Sequence, residues 1–179
     1  LRVHPEQPRV GIRASRPNEL WHIDTTLIRI LDHSRVYLHA VIDNFSRRIR
    51  LVNRFEPANA VAVLVEAGPT VHGSVSPPTL LADGGIENRN GSVDALIESG
   101  LLKRILAQTE IHFFNSMIEA WWRCLKHQSR FLHPRDSMAK VRSPVEFDVA
   151  EHNSRVPHSA FRGQTPDEMY FGTGDAVPD

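Results

Sequence analysis

Three carboxylates stand where residue type and spacing suit metal-assisted chemistry. Asp24 lies in the middle of Leu20-Trp21-His22-Ile23-Asp24-Thr25-Thr26-Leu27-Ile28, a run whose alternation suits a strand. Asp83 ends the short apolar run Leu80-Leu81-Ala82 and is followed by Gly84-Gly85. Glu119 sits in Asn115-Ser116-Met117-Ile118-Glu119-Ala120-Trp121-Trp122-Arg123, the opening of an amphipathic helix, with 35 residues between it and Asp83. Carboxylates are hard oxygen ligands, and Mg²⁺ keeps several waters, so two or three acids plus a substrate phosphate suffice to hold it. Two such ions about 3.5–4 Å apart can activate an oxygen nucleophile and stabilise the leaving oxygen at a phosphodiester. That use requires acids on rigid elements that meet at one point, which holds if the two strands are neighbours and the helix packs across them. Each acid also has a plainer role. Asp24 suits a solvent-facing strand position, Asp83 a turn, and Glu119 a first-turn position favoured by the helix dipole. The apolar neighbours of Asp24 nevertheless argue for a central strand, where an acid is costly unless paired or metal-bound.

The elements that must position these acids follow from periodicity. Strands are predicted over 20–30, 35–42 and 47–54, joined by turns at Asp32-His33-Ser34 and Asp43-Asn44-Phe45-Ser46, which makes an antiparallel meander. In the first strand, the period of two puts His22, Asp24 and Thr26 on one face and Trp21, Ile23 and Leu27 on the other. A helix over 59–67, a strand over 79–82, a helix over 92–99 and a strand over 101–106 follow. The long helix over 115–131 gathers Ile118, Trp121, Trp122 and Leu125 on an apolar side, while Arg123, Lys126 and Arg130 follow Glu119 on its own face. Those cations suit either contact with phosphates or a solvated set of i,i+4 ion pairs. A further helix is predicted over 138–153, interrupted near Ser143-Pro144, and a helical turn near 166–170. Periodicity alone gives an α/β or α+β class.

Composition excludes several alternatives. A length of 179 residues suits one domain with a core that needs no staples. The single cysteine, Cys124, rules out an internal disulfide and a zinc site built on a cysteine pair. No apolar run approaches the roughly 18 residues of a membrane helix, and no signal peptide is visible, so no membrane partner is expected. The chain starts at Leu1 rather than Met, which points to a fragment or a processed product. Its formal net charge of +0 gives no sign of a polyanion partner, yet the charge is unevenly placed. Six Lys/Arg face one acid between Arg123 and Arg142, and Arg47, Arg48, Arg50 and Arg54 stand against Glu56, so basic surfaces suited to phosphates are expected. Residues 1–17 carry four arginines and three prolines and are expected to form a basic extended arm or linker ahead of a core over 18–179.

The three acids, at this spacing and on these elements, resemble the metal-binding triad of DDE-type DNA recombinases, the D-x35-E pattern of retroviral integrases and many bacterial insertion-sequence transposases. The segment Glu151-His152-Asn153-Ser154-Arg155-Val156-Pro157-His158-Ser159-Ala160, followed by Gly163-Gln164-Thr165-Pro166, is similar to the Y-N-x-x-R-P-H-x-A…G-x-T-P tail of the bacterial transposases, and it defines a tail over about 151–172. The resemblance covers nearly the whole chain. It implies an α/β, RNase H-like fold with a five-stranded mixed sheet, its first three strands antiparallel, flanked by helices. It implies that Asp24, Asp83 and Glu119 are catalytic and hold two Mg²⁺ ions, with Mn²⁺ able to substitute. In the resembling family the cation seven residues after the glutamate contacts the DNA end, and Lys126 occupies that place. Arg123, Arg130, Arg155 and His158 are further candidate DNA contacts, although for His158 packing of the tail against the core is the preferred reading. Phe114 departs from the acid many relatives carry before Asn115, and Ala82 and Gly84 replace the more usual Ser and Asn around Asp83.

The function expected is that of a transposase or integrase catalytic domain, an Mg-dependent polynucleotidyl transferase that cuts and joins DNA strands. The partners expected are element ends and target DNA, with a homodimer or higher oligomer assembled on DNA, in a bacterial cytoplasmic, nucleoid-associated setting. No helix-turn-helix is visible, so end recognition is assigned to missing sequence or another chain. The rival reading is a non-catalytic DNA-binding or assembly module derived from a transposase. A third, an RNase H-like nuclease without strand transfer, sits poorly with the tail.

Overall fold

The structure, a computed structural model, describes residues 13–52, 79–82, 95, 98, 103–106, 116–132 and 137–175. Among the described residues, five strands form one sheet: β1 (Leu20–Arg29), β2 (Arg35–Asp43), β3 (Ile49–Val52), β4 (Thr79–Ala82) and β5 (Lys103–Leu106), in the spatial order β3-β2-β1-β4-β5. The β1–β2 and β2–β3 pairs are antiparallel, whereas β4 runs parallel to both β1 and β5. The mixed sheet with an antiparallel first half is the one expected from the sequence.

The third strand starts later than expected, at Ile49 rather than at position 47. The cause is the turn before it. Asp43 Oδ1 accepts from Ser46 N at 2.8 Å and from Ser46 Oγ at 2.6 Å, and Asp43 O accepts from Arg47 N at 2.9 Å. This closes a tight loop that leaves Arg47 at φ 64, a left-handed conformation that cannot belong to a strand.

Three helices are described after the sheet: α1 (Ser116–Leu132), α2 (Met138–Ser154) and α3 (Pro166–Phe171), with a 3₁₀ turn over Ser159–Phe161 before the last. The helix expected over 59–67 lies outside the described residues. Of that over 92–99 only Ala95 and Glu98 are described, and both are helical. The break expected near Pro144 is absent, because α2 continues through it. A proline inside a helix loses one hydrogen bond and crowds the preceding turn, at a cost of about 3 kcal/mol. Here Val141 and Val145, on either side of it, are both buried in the core and hold the two halves of α2 against the sheet.

β1 is buried on both faces, as a central strand should be. Trp21 and Ile23 are buried on one face, and His22, Thr26 and Ile28 on the other. The second face carries the main core, where Ile28, Val36, Leu38, Ala40, Ile42 and Ile49 of the sheet meet Ile118, Trp121, Trp122 and Leu125 of α1 and the α2 valines. α1 packs across β1 and β2, and α2 lies against β3.

Candidate active site

Asp24 lies five residues into β1 and faces α1. Directly across on β2 stands Ala40, the smallest side chain of that strand, so the sheet leaves room above the carboxylate. Trp122 of α1 fills that room. Its indole Nε1–H donates to Asp24 Oδ2 at 3.1 Å. The indole is 4% exposed and packed against Trp121, with ring centroids 4.4 Å apart. An acid half-buried on a central strand thereby gains the donor it needs.

Glu119 precedes Trp122 by three residues, one turn back on the same helix, and its side chain is exposed. Neighbours at i,i+3 lie about 5–6 Å apart between Cβ atoms. The turn that donates to Asp24 therefore also presents Glu119. β4 pairs in parallel with the start of β1, with Leu80 opposite Trp21 and Leu81 opposite His22, and it ends at Ala82. Asp83 is the next residue in the sequence and lies outside the described residues. Among the described residues, no three His, Cys, Asp or Glu side chains gather into a metal-sized cluster. Two of the three acids are thus placed on rigid, adjoining elements, and both offer the hard oxygen donors that Mg²⁺ takes.

The remaining candidates separate into two groups. Arg123 is exposed and Lys126 half-buried on α1 after Glu119, and Arg130 lies on the same helix with its side chain outside the described residues. Arg155 and His158 are elsewhere, in the tail. Arg155 caps α2 and pairs with Glu151 at 3.4 Å. His158 is half-buried, its ring 5.1 Å from that of His152 and 5.8 Å from that of Phe161. Burial pushes its pKa down, with Arg47 adding to the effect.

The tail packs against the core as expected, docking on β3, two strands from Asp24, through partners that the sequence pattern did not name. The Asn153 amide clasps a single residue of the edge strand: Nδ2 donates to Ile49 O and Oδ1 accepts from Ile49 N, each at 2.8 Å. His152 Nε2 donates to Arg47 O at 3.1 Å. Arg48 pairs with Asp167 at 2.7 Å and lies over the rings of Tyr170 and Phe171, and Arg50 donates to Tyr170 Oη at 3.0 Å. Arg48 and Arg50, expected as part of a phosphate-facing patch, therefore serve to hold the tail. Arg54 lies outside the described residues. Tyr170 also reaches back to Asn18, whose Nδ2 donates to its Oη at 2.8 Å. Of these docking residues, His152 and Asn153 fall within the recognisable tail motif.

Residues 14–98 match the integrase core domain family. A search against curated proteins returns no match. Among solved structures, the chain is similar to a chain of the simian T-cell lymphotropic virus intasome in complex with the PP2A regulatory subunit B56 gamma, with a TM-score of 0.76 and 16% identity over 97% of this chain. It spans 61% of that relative's length. The HTLV-2 integrase catalytic core domain in complex with magnesium, in its dimeric form, gives a TM-score of 0.65 at 15% identity over 88% of this chain and 99% of that one. The BIV integrase catalytic core domain gives 0.63 at 14% identity over 87% and 95%. With residues 14–98 matched to the integrase core domain and a sheet of this topology, the chain shares the RNase H-like fold of the retroviral integrase catalytic cores.

Proposed function

We propose that this chain is the catalytic domain of a transposase or integrase that cuts and joins DNA strands by metal-assisted phosphoryl transfer. The observation that carries the reading is the Trp122–Asp24 hydrogen bond, which closes the Glu119 helix onto the central strand that bears Asp24. β4 runs parallel beside that strand and stops one residue before Asp83, which supports Asp83 as the third acid. Asp24, Asp83 and Glu119 would hold two Mg²⁺ ions, or Mn²⁺ in their place. When bound, such ions supply activation of the attacking oxygen and neutralise charge on the leaving oxygen. The chain's own part is to hold carboxylates of fixed orientation at one place and to guide the DNA backbone past them with Lys126 and Arg123. The magnesium in the HTLV-2 core and the intasome assembly of the simian virus relative agree with this reading.

The DNA partners are element ends and a target. One site processes one phosphodiester at a time, so a paired insertion needs at least two copies together on DNA. We assign end recognition to a helix-turn-helix on missing sequence or another chain, and the likeness of the tail to bacterial transposases supports a bacterial setting. No helix among the described residues is long and apolar enough to cross a membrane.

Asp24→Asn, Asp83→Asn and Glu119→Gln each remove a charge at nearly constant shape. Each should abolish strand transfer on a labelled DNA end while circular dichroism and melting stay those of the parent protein. A folded Asp83→Asn protein with full activity would overturn the triad. Three inactive variants that still bind DNA as the parent does separate this reading from a non-catalytic binding module, in which the acids are dispensable.

A further inference from the structure

We propose that Trp122 is a positioning residue for the Asp24 carboxylate, setting its orientation for metal binding and tying the Glu119 helix to β1. This rests on the triad reading above. The geometry on which it stands is independent of any metal.

The indole is fixed before any ligand arrives. It is buried, held by Trp121 at 4.4 Å, and sits in the main core between α1 and the sheet. A side chain whose rotamer is set by packing can hold its partner to a narrow range of angles. Its single N–H is spent on Asp24 Oδ2 at 3.1 Å. An ionised carboxylate has about four acceptor sites, so accepting the indole N–H leaves capacity to ligate a cation. A phenylalanine would fill most of the same volume without that donor, removing this restraint on the carboxylate. The neighbouring turn adds a second effect. Because Glu119 and Trp122 are i,i+3 neighbours, the bond that orients Asp24 also sets the height of Glu119 above the strand.

Trp21 provides an internal reference. Its indole is also buried on β1, but its Nε1 donates to Asn18 Oδ1 at 3.2 Å, on the opposite face of the strand from Asp24. The two indoles therefore report on opposite faces of β1.

The test combines nuclear magnetic resonance of ¹⁵N-indole groups with Mn²⁺ binding and steady-state strand transfer. In the parent protein, Mg²⁺ should move the Trp122 indole signal in a saturable way and leave that of Trp21 in place. In the absence of metal, Asp24→Asn should move the same signal, since the charged acceptor is gone. Trp122→Phe should keep its fold, bind Mn²⁺ about tenfold or more weakly, and lower kcat with little change in KM for DNA, as expected when the partner that orients a ligand is removed. If Trp122→Phe binds Mn²⁺ and turns over as the parent does, the inference falls and the metal site stands. If the parent binds no Mn²⁺ and Mg²⁺ moves neither indole, the triad reading falls and the inference with it. Should Trp122→Phe fail to fold, the parent spectra decide alone. A Trp122 signal indifferent to Mg²⁺ in a protein that binds Mn²⁺ overturns the positioning role.

Discussion

Asn153 commits both ends of its side-chain amide to the backbone of Ile49 and is itself buried. Ile49 faces β2 through its register partner Ile42, so the groups that Asn153 satisfies are those on the outer edge of β3. Truncation to alanine strands a buried N–H and a buried C=O together, and each such group costs about 1–3 kcal/mol. Asn153→Ala should therefore destabilise the domain by about 2–4 kcal/mol in urea unfolding, whereas Ser154→Ala, one residue on and exposed, should cost less than about 1 kcal/mol. The sequence makes Asn153 visible only as a member of a tail motif. What it bonds is set by a contact 104 residues away, and no local pattern encodes that. Trp122 shows the same limit from the other side. Its helical spacing marks it as core, and an indole buried in core needs an acceptor. That the acceptor is Asp24 follows only once α1 is laid across β1.

At the scale of elements, the strands were legible because alternation and turn residues agree: Asp43-Asn44-Phe45-Ser46 folds as the turn its residue types suggest. The start of β3 was not legible, because nothing in an arginine signals the left-handed backbone that Arg47 adopts. Nor was the continuity of α2, because a local rule weighs the proline and not the two buried valines that outweigh it. α1 is the element on which sequence and structure agree most closely. Its expected apolar side is buried, and of its expected charged side Glu119 and Arg123 are exposed and Lys126 is half-buried. If that outer side guides DNA, Lys126→Ala should weaken binding of a DNA end and reduce the slope of log affinity against log salt by about one phosphate's worth. Arg155→Ala, in the tail and paired with Glu151, should change that slope less. An unchanged slope for Lys126→Ala in a salt titration would mark the face as merely solvated.

At the scale of the molecule, the tail is a strap from α2 across β3 to the segment before β1. It carries two histidines whose pKa burial pushes below the ordinary 6.5. His152 lies against the Arg47 carbonyl, His158 and Asp167, and His158 against His152 and Arg47. A histidine depressed in the folded state contributes stability that is present above about pH 6.5 and is lost as pH falls through the lower, folded value. Asp43, pushed up by burial, acts in the opposite sense at more acidic pH. The melting temperature should thus decline between about pH 7 and 5, and His158→Phe, which cannot take up a proton, should flatten the decline. The same strap has a consequence for synthesis. Ile49 is made 104 residues ahead of Asn153, and Asn18 is made 152 residues ahead of Tyr170. At about 5–20 residues per second, the outer edge of β3 waits roughly 5–20 s on the ribosome for the side chain that closes it. For that interval an open strand edge faces whatever nascent chain is being made beside it.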